Sequence, residues 1–161
     1  MFARLGPVQP AQGADVIARA VGALALAALA VIHVVDLPAT LGPNPLVGAG
    51  YLGIIAAAVL TGGVMITRSH WLAWAAASAV AASAMGGYVL TRAVPGGFLG
   101  DHADVGNWRC PLGIAALSVE TLIILLVVLA AWQARARAAS VTAQPLPELV
   151  TLRTPEYSRP G

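Results

Sequence analysis

One carboxylate sits in the most apolar stretch of the chain. Glu120 lies inside "LSVETLIILLVV", which runs from Leu117 to Val128. An acid among such neighbours can carry a proton, bind a ligand or hold two helices together. Further polar groups gather elsewhere at helical spacing. His33 and Asp36 are three apart, on neighbouring faces of one turn. Tyr88 and Arg92 are four apart, on one face. Asn107, Trp108 and Arg109 precede Pro111, a residue suited to a first helical turn because its missing N–H has no partner there. These residues suggest a polar pocket of His33, Asp36, Tyr88, Arg92, Asn107, Trp108 and Glu120. Arg92 is expected to pair with Asp36 across its mouth, with Glu120 as its floor. The plainer reading is an interfacial belt, in which Trp and Tyr anchor at headgroup depth and charges reach for water.

Other chemistries lack their residues. No Ser-His-Asp grouping, phosphate-binding loop or H-E-x-x-H motif occurs, so no catalytic residue is assigned and the chain does not read as an enzyme. A b-type haem held by two histidines would need facing ligands, yet His33 and His70 fall at opposite ends of the apolar segments. Met85 offers an alternative ligand but reads as filler. Asp101, His102, Asp104 and Cys110 match no zinc spacing. No metal and no cofactor are therefore expected. The single cysteine, Cys110, forms no internal disulfide framework and reads as a buried or interfacial thiol.

The elements that must position these groups follow from composition. Of 161 residues, 58% are hydrophobic and 10% charged, with mean hydropathy +0.80. A soluble domain carries roughly 25% charged residues. This chain has too few to cover itself in water and reads as an integral membrane protein. All nine basic residues are arginines and none form a block, which argues against nucleic acid as a partner.

Four apolar segments are expected as helices, at about 16–37, 46–67, 71–92 and 111–132. Each approaches the ~20 residues that cross a ~30 Å hydrocarbon core. Continuous apolar runs, unlike alternating ones, point to helices. "DLPATLGPNP", "RSH" and "AVPGGFLGDHADVGNWRCP" read as the connections. Residues 1–15 read as a cytoplasmic segment, and 136–161 as a disordered cytoplasmic tail. A cleaved signal peptide is not expected, since the first apolar run is too long and no cleavage site follows it. "LPATLG" lies between helices and so does not read as a sortase signal.

The fold class expected is all-α, an integral membrane four-helix bundle running up-down-up-down. Arg4, Arg19, Arg68, Arg135, Arg137, Arg153 and Arg159 fall on one side, and Arg92 and Arg109 on the other. The positive-inside rule then places both termini in the cytoplasm. In helix 3, Ala75, Ala79, Ser83 and Gly87 are four apart and predict a packing ridge of small residues. Ala23, Ala27 and Val31 predict another in helix 1, with Gly62 and Gly63 contributing from helix 2. Helix 4 is bulky and suits lipid or a groove. Glu120, about ten residues into helix 4, would lie roughly 15 Å deep. An ionised carboxylate there costs at least ~2.5–3.5 kcal/mol. A protonated one needs an acceptor, for which Ser83, Ser78 and Thr61 have comparable depth.

The stretches "IHVVDLP", "YLG", "GYVLTRAVPGGFLGDHADVGNW" and "PLGIAALSVE" resemble a family of small four-helix membrane proteins of high-GC Gram-positive, actinobacterial bacteria. The resemblance spans Ile32 to Glu120. It implies that His33, Tyr88, Arg92, Asn107, Trp108 and Glu120 occupy the family's recurring polar positions. The chain departs at "NWRCPLG", where Arg109 and Cys110 replace an x-E pair. The resemblance implies a fold and leaves the activity open.

Three functional readings follow for a multi-pass protein of the cell membrane. The first is a non-enzymatic accessory or interaction component, partnered by the lipid bilayer and by a homo-oligomer or larger membrane complex. The second is a binder or carrier of a small ligand or protons through the outward pocket. The third is a redox membrane protein using haem or quinone.

Overall fold

A computed structural model of the chain describes residues 10–68 and 70–142. Among these residues it is helical, with four helices long and apolar enough to cross a membrane. They are α1 (Pro10–Leu41), α2 (Pro45–Thr67), α3 (Trp71–Ala93) and α4 (Pro111–Thr142). Helix α1 packs against α2 and α4, and α3 packs against the same two.

Two helices run past their expected ends. Helix α1 continues through Asp36 and Pro38 to Leu41, so most of "DLPATLGPNP" is helical rather than a connection. Proline withholds only one backbone bond, and Thr40 Oγ1 donates to the Asp36 carbonyl at 3.2 Å in the same turn. Asn44 then caps α2, its Oδ1 accepting from Val47 N at 3.3 Å, with Pro45 at the start. Gly48 permits this tight corner, because a Cβ there would lie 2.7 Å from the Leu41 Cα. Helix α4 likewise extends beyond Trp132 to Thr142. Its Ala- and Arg-rich end, "QARARAAS", is a strong helix former, so the expected tail boundary at 136 moves. Residues 1–9 and 143–161, which hold most of the two expected terminal segments, lie outside the described residues.

The core is made of alanines around a few large side chains. Leu26, Leu29, Met65 and Ile123 are fully enclosed, with Ala58, Ala77 and Ala81 between them. Small residues let helix backbones approach closely where lipid supplies no hydrophobic driving force. The packed stripe of α3 is Ala73, Ala77, Ala81 and Ala84. The ridge of small residues expected from spacing lies on a different stripe, where Ala75, Ala79 and Ser83 are exposed and Gly87 is half-buried. A stretch rich in alanine at every position presents several equivalent stripes, and only contact with the neighbouring helices selects one. Helix α1 shows the same shift: Ala23 is buried, whereas Ala27 and Val31 face outward and Leu26, Leu29 and Ala30 pack inward. On α2, Gly62 is buried against Ala23 and Gly63 is open. Among its described residues, helix α4 buries only Ala116, Glu120 and Ile123. Its bulky Leu122, Leu125, Val128 and Leu129 point outward, as a lipid-facing helix would place them.

One end of the bundle is pinned by Arg19. Its Nε donates to the Met65 carbonyl at 2.7 Å and its Nη2 to the Ile66 carbonyl at 2.6 Å. These satisfy carbonyls that the end of α2 leaves without helical partners. At the same end His70 caps α3, its Nδ1 accepting from Leu72 N at 3.2 Å. The candidate site occupies the other end.

Candidate functional site

A cavity of about 290 Å³ opens among all four helices and the loop between α3 and α4. Five of the seven residues expected in a pocket line it: His33, Asp36, Tyr88, Arg92 and Glu120. Asn107 and Trp108 do not. They hold it together from behind through their carbonyls, which accept from Arg92 Nε at 3.0 Å and from Tyr88 Oη at 2.9 Å.

Helix α1 supplies His33 and Asp36 from its last turns. His33 is buried, and its Nδ1–H donates to the Leu29 carbonyl at 3.0 Å. That bond leaves Nε2 as the acceptor of the neutral ring. Tyr51 of α2 meets the His33 ring edge-on at 4.9 Å between centroids. The Tyr51 hydroxyl donates to Asp36 Oδ2 at 3.0 Å. Tyr51 thus ties both α1 groups to α2 and lines the cavity itself. In the sequence it stood out only as the tyrosine of "YLG" in an apolar helix.

Helix α3 supplies Tyr88, Thr91 and Arg92. The Arg92 guanidinium lies over the Tyr88 ring, 3.7 Å from its centroid. Its Nη1 donates to Thr91 Oγ1 at 2.8 Å and to the Tyr88 carbonyl at 3.4 Å. Its Nη2 pairs with Asp104 at 3.5 Å. The expected Arg92–Asp36 pair does not form. The loop after α3 folds back, with Gly106 N donating to the Arg92 carbonyl at 3.0 Å, and this brings Asp104 to the guanidinium first. Asp36 is left to Tyr51. Such proximity depends on the loop path, which charge and spacing do not encode.

The loop is shaped by backbone geometry only glycine adopts without strain. Gly97 has φ +85°, and a Cβ there would lie 2.7 Å from the Asp101 carbonyl carbon. Leu99 has φ +51° without being glycine, a conformation that costs about 1–2 kcal/mol. Phe98 and Leu99 line the cavity mouth. Beside them Asp101 carries a carboxyl held above its ordinary value, first by partial burial and then by the charge of Asp104.

Helix α4 brings Glu120 to the inner end. Its entry depends on Gly113, against which the Tyr88 ring packs so closely that a Cβ would collide with it. Glu120 is 1% exposed. The expected acceptors or donors on Ser83, Ser78 and Thr61 do not reach its Oε2, which has no hydrogen-bond partner. Leaving a buried polar atom unsatisfied costs about 1–3 kcal/mol. Among the described residues no group of three or more His, Cys, Asp or Glu side chains is placed to hold a metal ion. Cys110 is a free thiol, half-buried where the loop meets α4.

The chain matches no protein-family model, no curated protein and no solved structure.

Proposed function

We propose that this is a multi-pass membrane protein that binds or carries a small ligand or protons in the cavity ending at Glu120. The observation that carries the reading is the buried Glu120 side chain, which lines a cavity shared with His33, Asp36 and Arg92 and whose Oε2 has no hydrogen-bond partner. An acid kept only to fasten helices would be bonded to one, since an intramembrane carboxylate is costly and is retained for a partner. Here the helices supply no bond to that oxygen and the cavity offers the space. The bundle runs up-down-up-down in the cell membrane, with both termini cytoplasmic. Seven of nine arginines fall on the terminal side, which supports that orientation. The cavity then opens outward. The resemblance of Ile32–Glu120 to the actinobacterial four-helix family fits the reading, because five of its six polar positions line or brace this cavity and the sixth is Glu120 itself.

A second reading, an accessory component of a homo-oligomer or larger membrane complex, is favoured by one observation. The small residues Ala75, Ala79 and Ser83 are exposed on α3 and would let another helix approach.

Native mass spectrometry of the full-length protein, extracted with its lipids, separates the two. A stoichiometric small-molecule mass, lost in a cavity-filling Ala116→Trp variant that still folds, is the expected result. A bare homo-oligomer or a protein companion, with no small molecule, would overturn the cavity reading in favour of the second.

A further inference from the structure

We propose that the cavity takes a small organic ammonium ion, an amine on an apolar body, whose N–H groups are received by Glu120. The inference rests on the reading of the cavity as a ligand site and names the ligand's chemistry.

It follows from which polar atoms around the cavity are already committed. The charged and phenolic donors are used within the chain. Arg92 is spent on the Asn107 and Tyr88 carbonyls, Thr91 and Asp104. Its guanidinium also covers the Tyr88 ring. The Tyr88 hydroxyl is held by the Trp108 carbonyl, and the Tyr51 hydroxyl by Asp36. Acceptors remain. Glu120 Oε2 has no partner, and in the neutral ring the His33 bond to Leu29 leaves Nε2 as an acceptor. A ligand that brings only acceptors, such as a carboxylate or a phosphate, would face like charge and find no free guanidinium.

Charge points the same way. Asp36 and Glu120 line the cavity, and Arg92, the one cation among its lining residues, is already matched by Asp104. Apart from His33, Ser83 and Thr91, the remaining walls are apolar or aromatic, with Ile54, Ala116, Leu112 and Phe98 among them. An apolar body fits such walls, and aromatic faces attract cations. A cationic head at Glu120 replaces the hydration that a mid-bundle carboxylate has lost.

The test uses the full-length chain in lipid nanodiscs at neutral pH, with calorimetric titration of 2-phenylethylamine and n-hexylamine against 2-phenylethanol and n-hexanol. Each pair shares its apolar body and differs in the head group. The amines should bind about ten- to hundredfold more tightly than their alcohols, the range expected of a hydrogen bond to a charged group. Glu120→Gln should remove that preference and leave the alcohols unchanged. The amine–alcohol comparison needs no variant, so it stands even where the Glu120 variant fails to fold. Equal binding of amines and alcohols would overturn the ammonium inference and leave the cavity reading intact. Binding of none of the four would also overturn it, and the small-molecule mass retained in native extraction would then decide the cavity reading separately.

Discussion

At the scale of single residues, the site is organised by two groups of opposite character. Glu120 keeps an oxygen free, and Arg92 keeps almost nothing free. The Arg92 fork joins α3 to the loop through donors that diverge in fixed directions. Lysine retains the charge but presents a single ammonium that cannot reproduce the fork. Arg92→Lys is therefore expected to destabilise the fold by about 1–3 kcal/mol, read as a lowered thermal midpoint in detergent. Asp104→Asn should cost less, because Asp104 is partly exposed and its pair is long at 3.5 Å. Asp101 makes a prediction about pH. Its carboxyl holds its proton more tightly in the folded loop than in the unfolded chain. Between the ordinary carboxylate value and the raised one, the folded state thus binds more protons, and stability falls as pH rises through that window. Asp101→Asn should flatten the dependence of the thermal midpoint on pH there. An unchanged slope would mean that Asp101 titrates alike in both states.

At the scale of elements, the choice of helix face is the result that matters most. Helix α3 carries alanine or another small residue at so many positions that sequence spacing alone allows several packing stripes. The chain packs through Ala73, Ala77, Ala81 and Ala84. Ala77 is 1% exposed, so Ala77→Leu forces three extra carbons into a closed core and should cost about 1–3 kcal/mol. Ala79→Leu, on the exposed face, should leave the thermal midpoint unchanged. If Ala79→Leu dissociates an oligomer seen in native mass spectrometry, that face docks a second copy. Equal effects of both on the monomer's midpoint would contradict the stripe. Helix α4 is positioned by a different device. Gly113 gives the Tyr88 ring its place, and the ring's hydroxyl donates to the Trp108 carbonyl in the loop just before the same helix. The P-L-G of "NWRCPLG" therefore has a packing reason independent of any ligand.

At the scale of the whole molecule, the cavity lies at the end of the bundle away from Arg19 and His70. The proposed orientation places that end outside. Cys110, at the junction of loop and α4, reports on it. A membrane-impermeant maleimide should label Cys110 in intact cells, and labelling only after lysis would reverse the orientation. Much of this architecture was legible beforehand. Apolar runs of membrane-spanning length and too little charge for a soluble surface pointed to helices long and apolar enough to cross a membrane, four of which the described residues form, because lipid permits only backbones that satisfy themselves. Helical spacing also placed His33 with Asp36 and Tyr88 with Arg92, since those pairs lie within one turn. What the residues alone did not determine was every contact between elements. The pairing of Arg92 with Asp104 depends on how a seventeen-residue connection, 94–110, folds back over the end of α3, and the pairing of Asp36 with Tyr51 and the solitude of Glu120 Oε2 depend on how the helices pack. Local sequence sets helix length and face periodicity through the backbone's own bonds. Which faces meet, and which polar atoms are left over for a ligand, is decided only when four nearly equivalent helices close on one another.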